Sequence, residues 1–310
     1  MINLYREKYK TLNNSFIKPE LIYPLSNRGF FSELNNLVLA VLYCLDNKVN
    51  LKLHSRNWVS GKWEDYFNPL FEEYKGIIPI PENVYVEKRF DFLYILYHKH
   101  LKQRKLLKND IWSNMRSKAF IEKHFYYPEL GIDGDIFEAK RQLFNIILYY
   151  NKETSKEVFS LLETDLEFIK KSCGIHVRRG DKVNGNSKEA ELFNIESYIN
   201  KTLEFAPEIK DFTICTDDNE VLENFKTKYP KLNYLSFCPP TRLGYFQKQY
   251  NRTKDTVEKR KEVINILKDA HLLTNSKLFV GTYSSNISRF VVLMRNNKNC
   301  HSLDIPWTPL

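Results

Sequence analysis

The chain has little of what would place it in several broad classes. Its five cysteines, Cys44, Cys173, Cys215, Cys238 and Cys300, are widely spaced and form no Cys-x-x-Cys pair. That spacing excludes a disulfide framework and a cysteine-built zinc site, and it fits buried thiols in a reducing compartment. With 10 Gly and 12 Pro in 310 residues, the chain is neither collagen-like nor dominated by linkers. No apolar run approaches the roughly 20 residues of a membrane span. The richest, Leu143 to Tyr150, is far too short. The start, Met1-Ile2-Asn3-Leu4-Tyr5-Arg6, has no apolar signal core, so the sequons at Asn200, Asn251 and Asn286 read as by-products of an Asn-rich composition. No Gly-x-x-x-x-Gly-Lys-Ser/Thr occurs and no Gly-x-Gly-x-x-Gly follows a strand, which sets aside P-loop nucleotidases and dinucleotide oxidoreductases. No Ser/His/Asp or Cys/His hydrolase signature stands out.

What is present describes a globular protein. Apolar residues make up 43% and aromatics 14%, which argues against intrinsic disorder, and the length suits one large domain or two. The 47 basic residues outnumber the 38 acidic ones, for a net charge of +9. That excess favours an anionic partner: a phosphorylated ligand, nucleic acid or a membrane surface. No nucleic-acid recognition motif accompanies it. The run Lys99 to Lys105 reads as the solvated side of a helix, and His98-Lys99-His100 as a solvated pair on it.

The pattern changes near residue 165. Before it helical signals dominate: a helix over 31–44, a short strand over 49–53, a turn-rich aromatic stretch over 54–85, and helices over 91–127 and 136–161. Ser26-Asn27-Arg28-Gly29 reads as a tight loop ahead of the first of these helices. After it short apolar strands (173–177, 212–216, 233–237, 277–281) alternate with helices (195–206, 219–228, 256–274 and one starting near Ser285). Such alternation indicates βαβ units and a parallel sheet covered on both faces. The expected organisation is therefore an α/β lobe, mostly helical, over 1–165 and a second α/β lobe over 166–310. Ligands of such sheets bind beyond the carboxyl ends of the strands, which directs attention to the loops after residues 177, 216 and 281.

Three motifs occupy those places. His176-Val177-Arg178-Arg179-Gly180-Asp181-Lys182 crowds cations at a strand end, where a guanidinium can bridge phosphate oxygens by paired, charge-assisted hydrogen bonds. Alternation sends His176 and Arg178 to one face and Val177 and Arg179 to the other. The plainer reading is a surface turn in which Asp181 pairs with an arginine. Thr216-Asp217-Asp218 can cap the next helix, bind a metal, or accept hydrogen bonds from a sugar or base. Gly281-Thr282-Tyr283-Ser284-Ser285-Asn286 leads a strand into a helix start. Its free amides and hydroxyls form an anion site or, more simply, a helix cap. Asp133-Gly134-Asp135 has the spacing of a divalent-ion clamp in metal-dependent sugar transferases, but a plain turn is preferred.

The run from His176 to Lys182 resembles the defining motif of inverting fucosyltransferases that use GDP-fucose, above all the α-1,6-fucosyltransferases. Thr216 to Pro230, Phe279 to Arg289 and His301-Ser302-Leu303-Asp304 resemble the segments that follow it. The likeness spans residues 173–304; earlier it is loose, mainly Gly29 to Cys44 and Trp58 to Phe67. The resemblance implies an α/β, GT-B-like fold of two lobes, with a C-terminal Rossmann-like parallel sheet binding the nucleotide sugar and the first lobe on the acceptor side. It implies GDP-fucose as donor, a glycan or oligosaccharide acceptor, an α-1,6 link, no metal ion and no other cofactor. Arg178, with Arg179, would contact the diphosphate and His176 the guanine side. Asp217 and Asp218 would line the donor site. Ser284, Ser285 and Asn286 would hold phosphate at the helix start. Asp269 occupies the position of an acid that reads guanine, although helical periodicity sets it off the apolar stripe of Val263, Leu267 and Ala270. The general base is expected to be Glu189, with Glu191 second and Asp181 in reserve, because three extra residues follow Lys182. Gly180 stands where core enzymes have Thr. The animal enzymes' membrane anchor, coiled-coil stem and SH3 segment have no counterpart here. A cytoplasmic bacterial or viral enzyme, peripheral to a membrane at most, is therefore expected. Alternatives are a same-fold transferase using another nucleotide sugar and a non-catalytic glycan- or nucleotide-binding protein.

Overall fold

The computed structural model describes residues 2–76, 91–97, 105–159, 165–183 and 191–309. They fall into two compact units, Met1–Thr154 with Pro309–Leu310, and Ser155–Thr308. The division thus comes before the compositional change near residue 165. The last residues return to the first unit, where Lys140 Nζ donates to the Pro309 carbonyl at 2.5 Å.

In the first unit the elements run α1 (Ile2–Ser15), β1 (Glu20–Pro24), α2 (Phe30–Asp46), β2 (Asn50–His54), β3 (Glu72–Glu73), α3 (Asp91–Leu96), β4 (Leu106–Leu107), α4 (Lys108–Trp112), α5 (Lys118–Ile121), β5 (Phe125–Tyr127), β6 (Ile132–Gly134), α6 (Ile136–Ile147) and α7 (Lys152–Phe159), the last crossing the division. Strands β3-β2-β1-β4 form a parallel sheet, and β5 and β6 an antiparallel pair. Helix α2 follows its apolar spacing, burying Leu34, Leu37, Val38, Val41 and Leu45.

This unit holds a parallel sheet of which the sequence reading located only β2. Strand β1, at the heart of that sheet, is three apolar residues between Pro19 and Pro24, too short a pattern to register against two prolines. Among the described residues the expected 91–127 helix is only the short helices α3, α4 and α5. Asp110 accepts the Leu107 amide at 2.8 Å and Ser117 accepts the Phe120 amide, so local side-chain bonds restart the chain as short turns. Likewise 136–159 is two helices. The chain between them pairs with 66–68: Asn68 donates to the Tyr149 carbonyl (2.9 Å) and Asn151 to that of Tyr66 (3.0 Å). Residues 98–104, with His98-Lys99-His100, lie outside the described residues.

The second unit contains α8 (Leu166–Lys171), β7 (Cys173–Val177), α9 (Ile195–Phe205), β8 (Asp211–Thr216), α10 (Asn219–Lys228), β9 (Asn233–Leu235), α11 (Gln247–Arg252), α12 (Thr256–Asn275), β10 (Leu278–Gly281), α13 (Asn286–Met294) and β11 (Cys300–Ser302). Here the alternation read from the sequence holds closely. The sheet is parallel throughout, in the order β11-β10-β7-β8-β9. From β7 the chain builds outward through β8 and β9, then returns to the other flank for β10 and β11. The connections above β7 and β10 therefore diverge, which makes this the switch point of the sheet, where a crevice opens at the strands' carboxyl ends. All five residues of β7 are buried. Val177 packs with Ile195, Tyr198 and Ile199 in one core cluster that also takes in Ile214 and Val280. No helix among the described residues is long and apolar enough to cross a membrane.

Candidate active site

The three strand-end motifs meet at the carboxyl edge of this second sheet. From β7, His176 turns its Nδ1 to Ser288 Oγ of α13 at 3.3 Å, linking the first motif to the third. Arg179 lies on the opposite side, as alternation requires: its Nη2 donates to the Phe193 carbonyl just before α9 at 3.1 Å, and its Nη1 to the Arg178 carbonyl. Its guanidinium is thus spent on backbone, and of the two arginines Arg178 is the one positioned for a ligand.

Arg178 is held rather than free. Its Nη1 donates to Asp217 Oδ2 at 2.7 Å, its Nη2 lies 3.6 Å from Asp181 Oδ1, and its guanidinium sits 5.1 Å from the centre of the Tyr245 ring. The surface-turn reading anticipated the Asp181 pairing but not the stronger bond to the buried Asp217. Asp217 is heavily engaged, accepting in addition the Arg179 amide at Oδ1 (2.7 Å) and the Tyr245 amide at Oδ2 (3.1 Å). A carboxylate so engaged orients the arginine and keeps acceptor capacity only at Oδ1. Asp218 proves to be the N-cap of α10, accepting the Glu220 amide at 3.0 Å, which is the plainer of its two readings. Asp181 binds the Gln247 amide through Oδ2 at 2.8 Å.

The loop that supplies these partners was missed in reading the sequence. Residues 242–247 cross the ends of β7 and β8: Asn219 donates to the Arg242 carbonyl (2.8 Å), Gly244 to that of Asp217 (2.7 Å), and Asp181 to that of Tyr245 (3.2 Å). Close approach requires Gly180 in the left-handed region, φ +68°, where a Cβ would come within 2.2 Å of the Tyr245 carbonyl oxygen. The isolated Gly244 in an aperiodic stretch was the one available signal.

At the third motif, Ser285 is the N-cap of α13 but makes no side-chain capping bond. The Ser284 hydroxyl is buried with no partner among the described residues. The amides before the helix are not all available: Tyr283 donates to Asp304 Oδ1 (2.6 Å) and Ser284 to Asp304 Oδ2 (2.9 Å). The Ser285 amide in turn donates to the Thr282 carbonyl at 3.2 Å, so the amides of Tyr283, Ser284 and Ser285 are all committed within the turn. The Asp304 carboxyl stays below its ordinary value because bonds from Ser302 and the two amides outweigh the opposing effect of burial.

Charge in the crevice follows burial. Desolvation drives the His176 pKa down to about 4, assisted by Arg178 and only partly resisted by Asp217, so the imidazole is neutral at pH 7. Asp269 lies on α12 beside the end of β8, its backbone oxygen accepting from the Cys215 thiol at 3.8 Å. Burial pushes its carboxyl up to about 7, against the pull of Arg242. Although it falls outside the apolar stripe, its placement beside β8 brings it near Arg242, Glu262 and Asp217. Glu191 is exposed, and Glu189 lies outside the described residues. Asp133 and Asp135 are engaged elsewhere, with His124 Nε2 at 2.8 Å and as the N-cap of α6. Among the described residues no three His, Cys, Asp or Glu side chains converge as a metal-ligand group.

Comparison with known proteins agrees with this geometry. A family model described as alpha-(1,6)-fucosyltransferase N- and catalytic domains matches residues 140–303. Among solved structures, the NodZ fucosyltransferase from Bradyrhizobium is 13% identical, with 89% of this chain and 92% of that one covered at a TM-score of 0.54. A further NodZ alpha-1,6-fucosyltransferase structure, soaked with GDP-fucose, matches at a TM-score of 0.53 with the same identity and coverage. A mutant of Arabidopsis thaliana FUT1 in complex with GDP is 10% identical, over 97% of this chain and 74% of that one, at a TM-score of 0.53. At such identities the solved structures speak to the fold, which is α/β of the GT-B type with a Rossmann-like parallel sheet.

Proposed function

The chain belongs to the alpha-(1,6)-fucosyltransferase family, and we propose that this glycosyltransferase moves fucose from GDP-fucose to a glycan hydroxyl with inversion, forming an α-1,6 link. The observation that carries the reading is the ion-paired Arg178 at the end of β7, at the sheet's switch point, with His176 of the same strand bonded to Ser288 of α13.

As the bond from the anomeric carbon to the diphosphate breaks, negative charge grows on the leaving oxygens. Arg178 answers it with its Nη2 edge, Nη1 being anchored on Asp217. The start of α13, at Ser285 and Asn286, adds the positive end of a helix dipole. Groups fixed before the reaction stabilise that growing charge without reorganising, and they favour the transition state over the bound donor. Neutral His176 serves as a hydrogen-bonding partner on the guanine side, and Asp269 as the acid that reads the base. A fixed cation here does the work that a divalent ion does in other transferases.

The acceptor hydroxyl must lose its proton to a carboxylate. Asp181 is the poorest choice, since it is tied to the Gln247 amide and faces Arg178. Glu189 remains first and Glu191 second. The first unit is assigned the acceptor side.

The deciding experiment compares GDP-fucose, GDP-mannose and UDP-xylose, measuring hydrolysis and transfer to an oligosaccharide panel. GDP-fucose should be preferred, and Arg178→Ala should lower turnover by roughly a hundredfold or more while the fold survives. Glu189→Gln should spare GDP binding and abolish transfer. EDTA should leave the rate unchanged. Preference for another donor would move the assignment to a different nucleotide sugar, and tight GDP binding without turnover on any acceptor would make this a binding protein.

A further inference from the structure

The loop that secures Arg178 carries a second arginine, and its surroundings are not needed to explain phosphate binding. Arg242 is part-buried, and its Nη2 pairs with Glu262 Oε1. Its backbone is pinned on both sides: the carbonyl accepts the Asn219 amide at 2.8 Å, and its own amide donates to the Pro239 carbonyl at 3.0 Å. Glu262 precedes Asp269 by two turns of α12, so both project from one face of that helix. Asp269 is fixed against β8 by Cys215. The Asn219 bond and the Asp218–Leu243 bridge set Arg242 over the end of the same strand. Two independent anchors thus bring Arg242, Glu262 and Asp269 to one corner of the site.

We propose that Arg242, seated on Glu262, is a positioning residue that holds the Asp269 carboxylate in its anionic, base-reading form. The inference rests on the GDP reading above. One edge of guanine presents only donors, the ring N–H and the exocyclic amine, and an ionised carboxylate accepts from both. A protonated carboxyl would offer a hydrogen where an acceptor is needed. Burial works against ionisation of Asp269, as do Glu262 on its own helix and Asp217 at the end of β8, whereas the Cys215 thiol favours the anion by hydrogen bonding to it. Of the cations, Lys268 lies beside it in the helix and Arg242 acts on it from the loop. Glu262 adds negative charge near Asp269, and without it Arg242 keeps its backbone anchors on Asn219 and Pro239, so removing the arginine and removing the glutamate should displace the titration in opposite directions.

The test is the affinity for GDP, measured by calorimetry from about pH 5.5 to about 8.5, on the full-length chain and on Arg242→Gln, Arg242→Lys, Glu262→Gln and Asp269→Asn. Affinity of the unaltered protein should rise through a midpoint near 7. Arg242→Gln should move that midpoint upward, weakening GDP by roughly tenfold per unit of displacement below it and converging with the parent at the alkaline end. Arg242→Lys should restore the parent profile, Glu262→Gln should move the midpoint down, and Asp269→Asn should remove this titration. The phosphate's own titration is common to all five proteins and drops out of the comparison. An Arg242→Gln profile with an unmoved midpoint, or one weakened equally at every pH, overturns the proposal, as does a Glu262→Gln midpoint that shifts upward. If Arg242→Gln fails to fold, the Glu262→Gln shift decides alone. GDP binding that is tight but flat with pH defeats this inference and leaves the donor reading standing; no GDP binding at any pH defeats both.

Discussion

Asp217 and Arg178 are bonded at 2.7 Å across neighbouring strand ends, and the same carboxylate also receives the amides of Arg179 and Tyr245. One buried acid thereby fixes a cation, the turn behind it and the loop above it. Replacing it should uncouple all of these together. Asp217→Ala should lower turnover about a hundredfold and cost about 2–4 kcal/mol of stability, because three donors lose their acceptor in a nearly closed site. Asp217→Asn should fall between. Steady-state kinetics and denaturant melts check both, and a variant with full stability and full turnover would contradict the role given to this acid.

Gly180 is the second coupling point. Adding a methyl group there collides with the Tyr245 backbone and forces a side chain into left-handed φ. Gly180→Ala should destabilise by about 1–3 kcal/mol and push the 242–247 loop off the strand ends. Hydrogen exchange should show the Gly244 and Tyr245 amides losing protection while β9 keeps its own.

His176 predicts a pH dependence of stability. Its folded pKa, near 4, lies below the ordinary 6.5, so the unfolded chain takes up a proton first as the solution is acidified. Stability should therefore be lost as pH falls between those two values and level off below the lower one. The full loss amounts to about 3 kcal/mol. His176→Gln should flatten that segment of the curve; an unchanged slope would show that another group is responsible.

Asp304 should matter although it meets no substrate atom. Its carboxylate receives the Tyr283 and Ser284 amides that shape the turn before α13. Its pKa is lowered on folding, so its contribution is present above its ordinary value and is lost as pH drops through the folded one. Asp304→Ala should raise the KM for donor more than Asp304→Asn does. Equal effects of the two would mean the carboxylate's second acceptor oxygen is not used.

Legibility differed between the two units for a physical reason. In the second, the central strands β7, β8 and β10 are short, largely apolar runs between helices with clear starts, as at Cys173–Val177 and Asn219–Lys228, because a parallel sheet covered on both faces requires such runs, whereas the edge strand β11, Cys300-His301-Ser302, carries no such signal. In the first, β1 carries only Leu21, Ile22 and Tyr23 between prolines, and the stretch after Leu107 is broken by local bonds from Asp110 and Ser117. Neither leaves a period to read. The site shows the same contrast. His176, Arg178 and Ser285 were visible because they stand at strand ends, whereas Tyr245 and Arg242 lie in an aperiodic loop whose partners are some 25 to 65 residues away in the chain.

Sequence alone settled which residues carry charge at the ends of β7, β8 and β10, since period and motif are local properties of the chain. Only the tertiary structure decided how those charges are spent: Asp217 on Arg178, Asp218 on a helix cap, Arg179 on backbone, and the Ser284 amide on Asp304. Hydrogen-bond partners are chosen by distance in space, and an acid or amide that is committed inside the fold is no longer offered to a ligand.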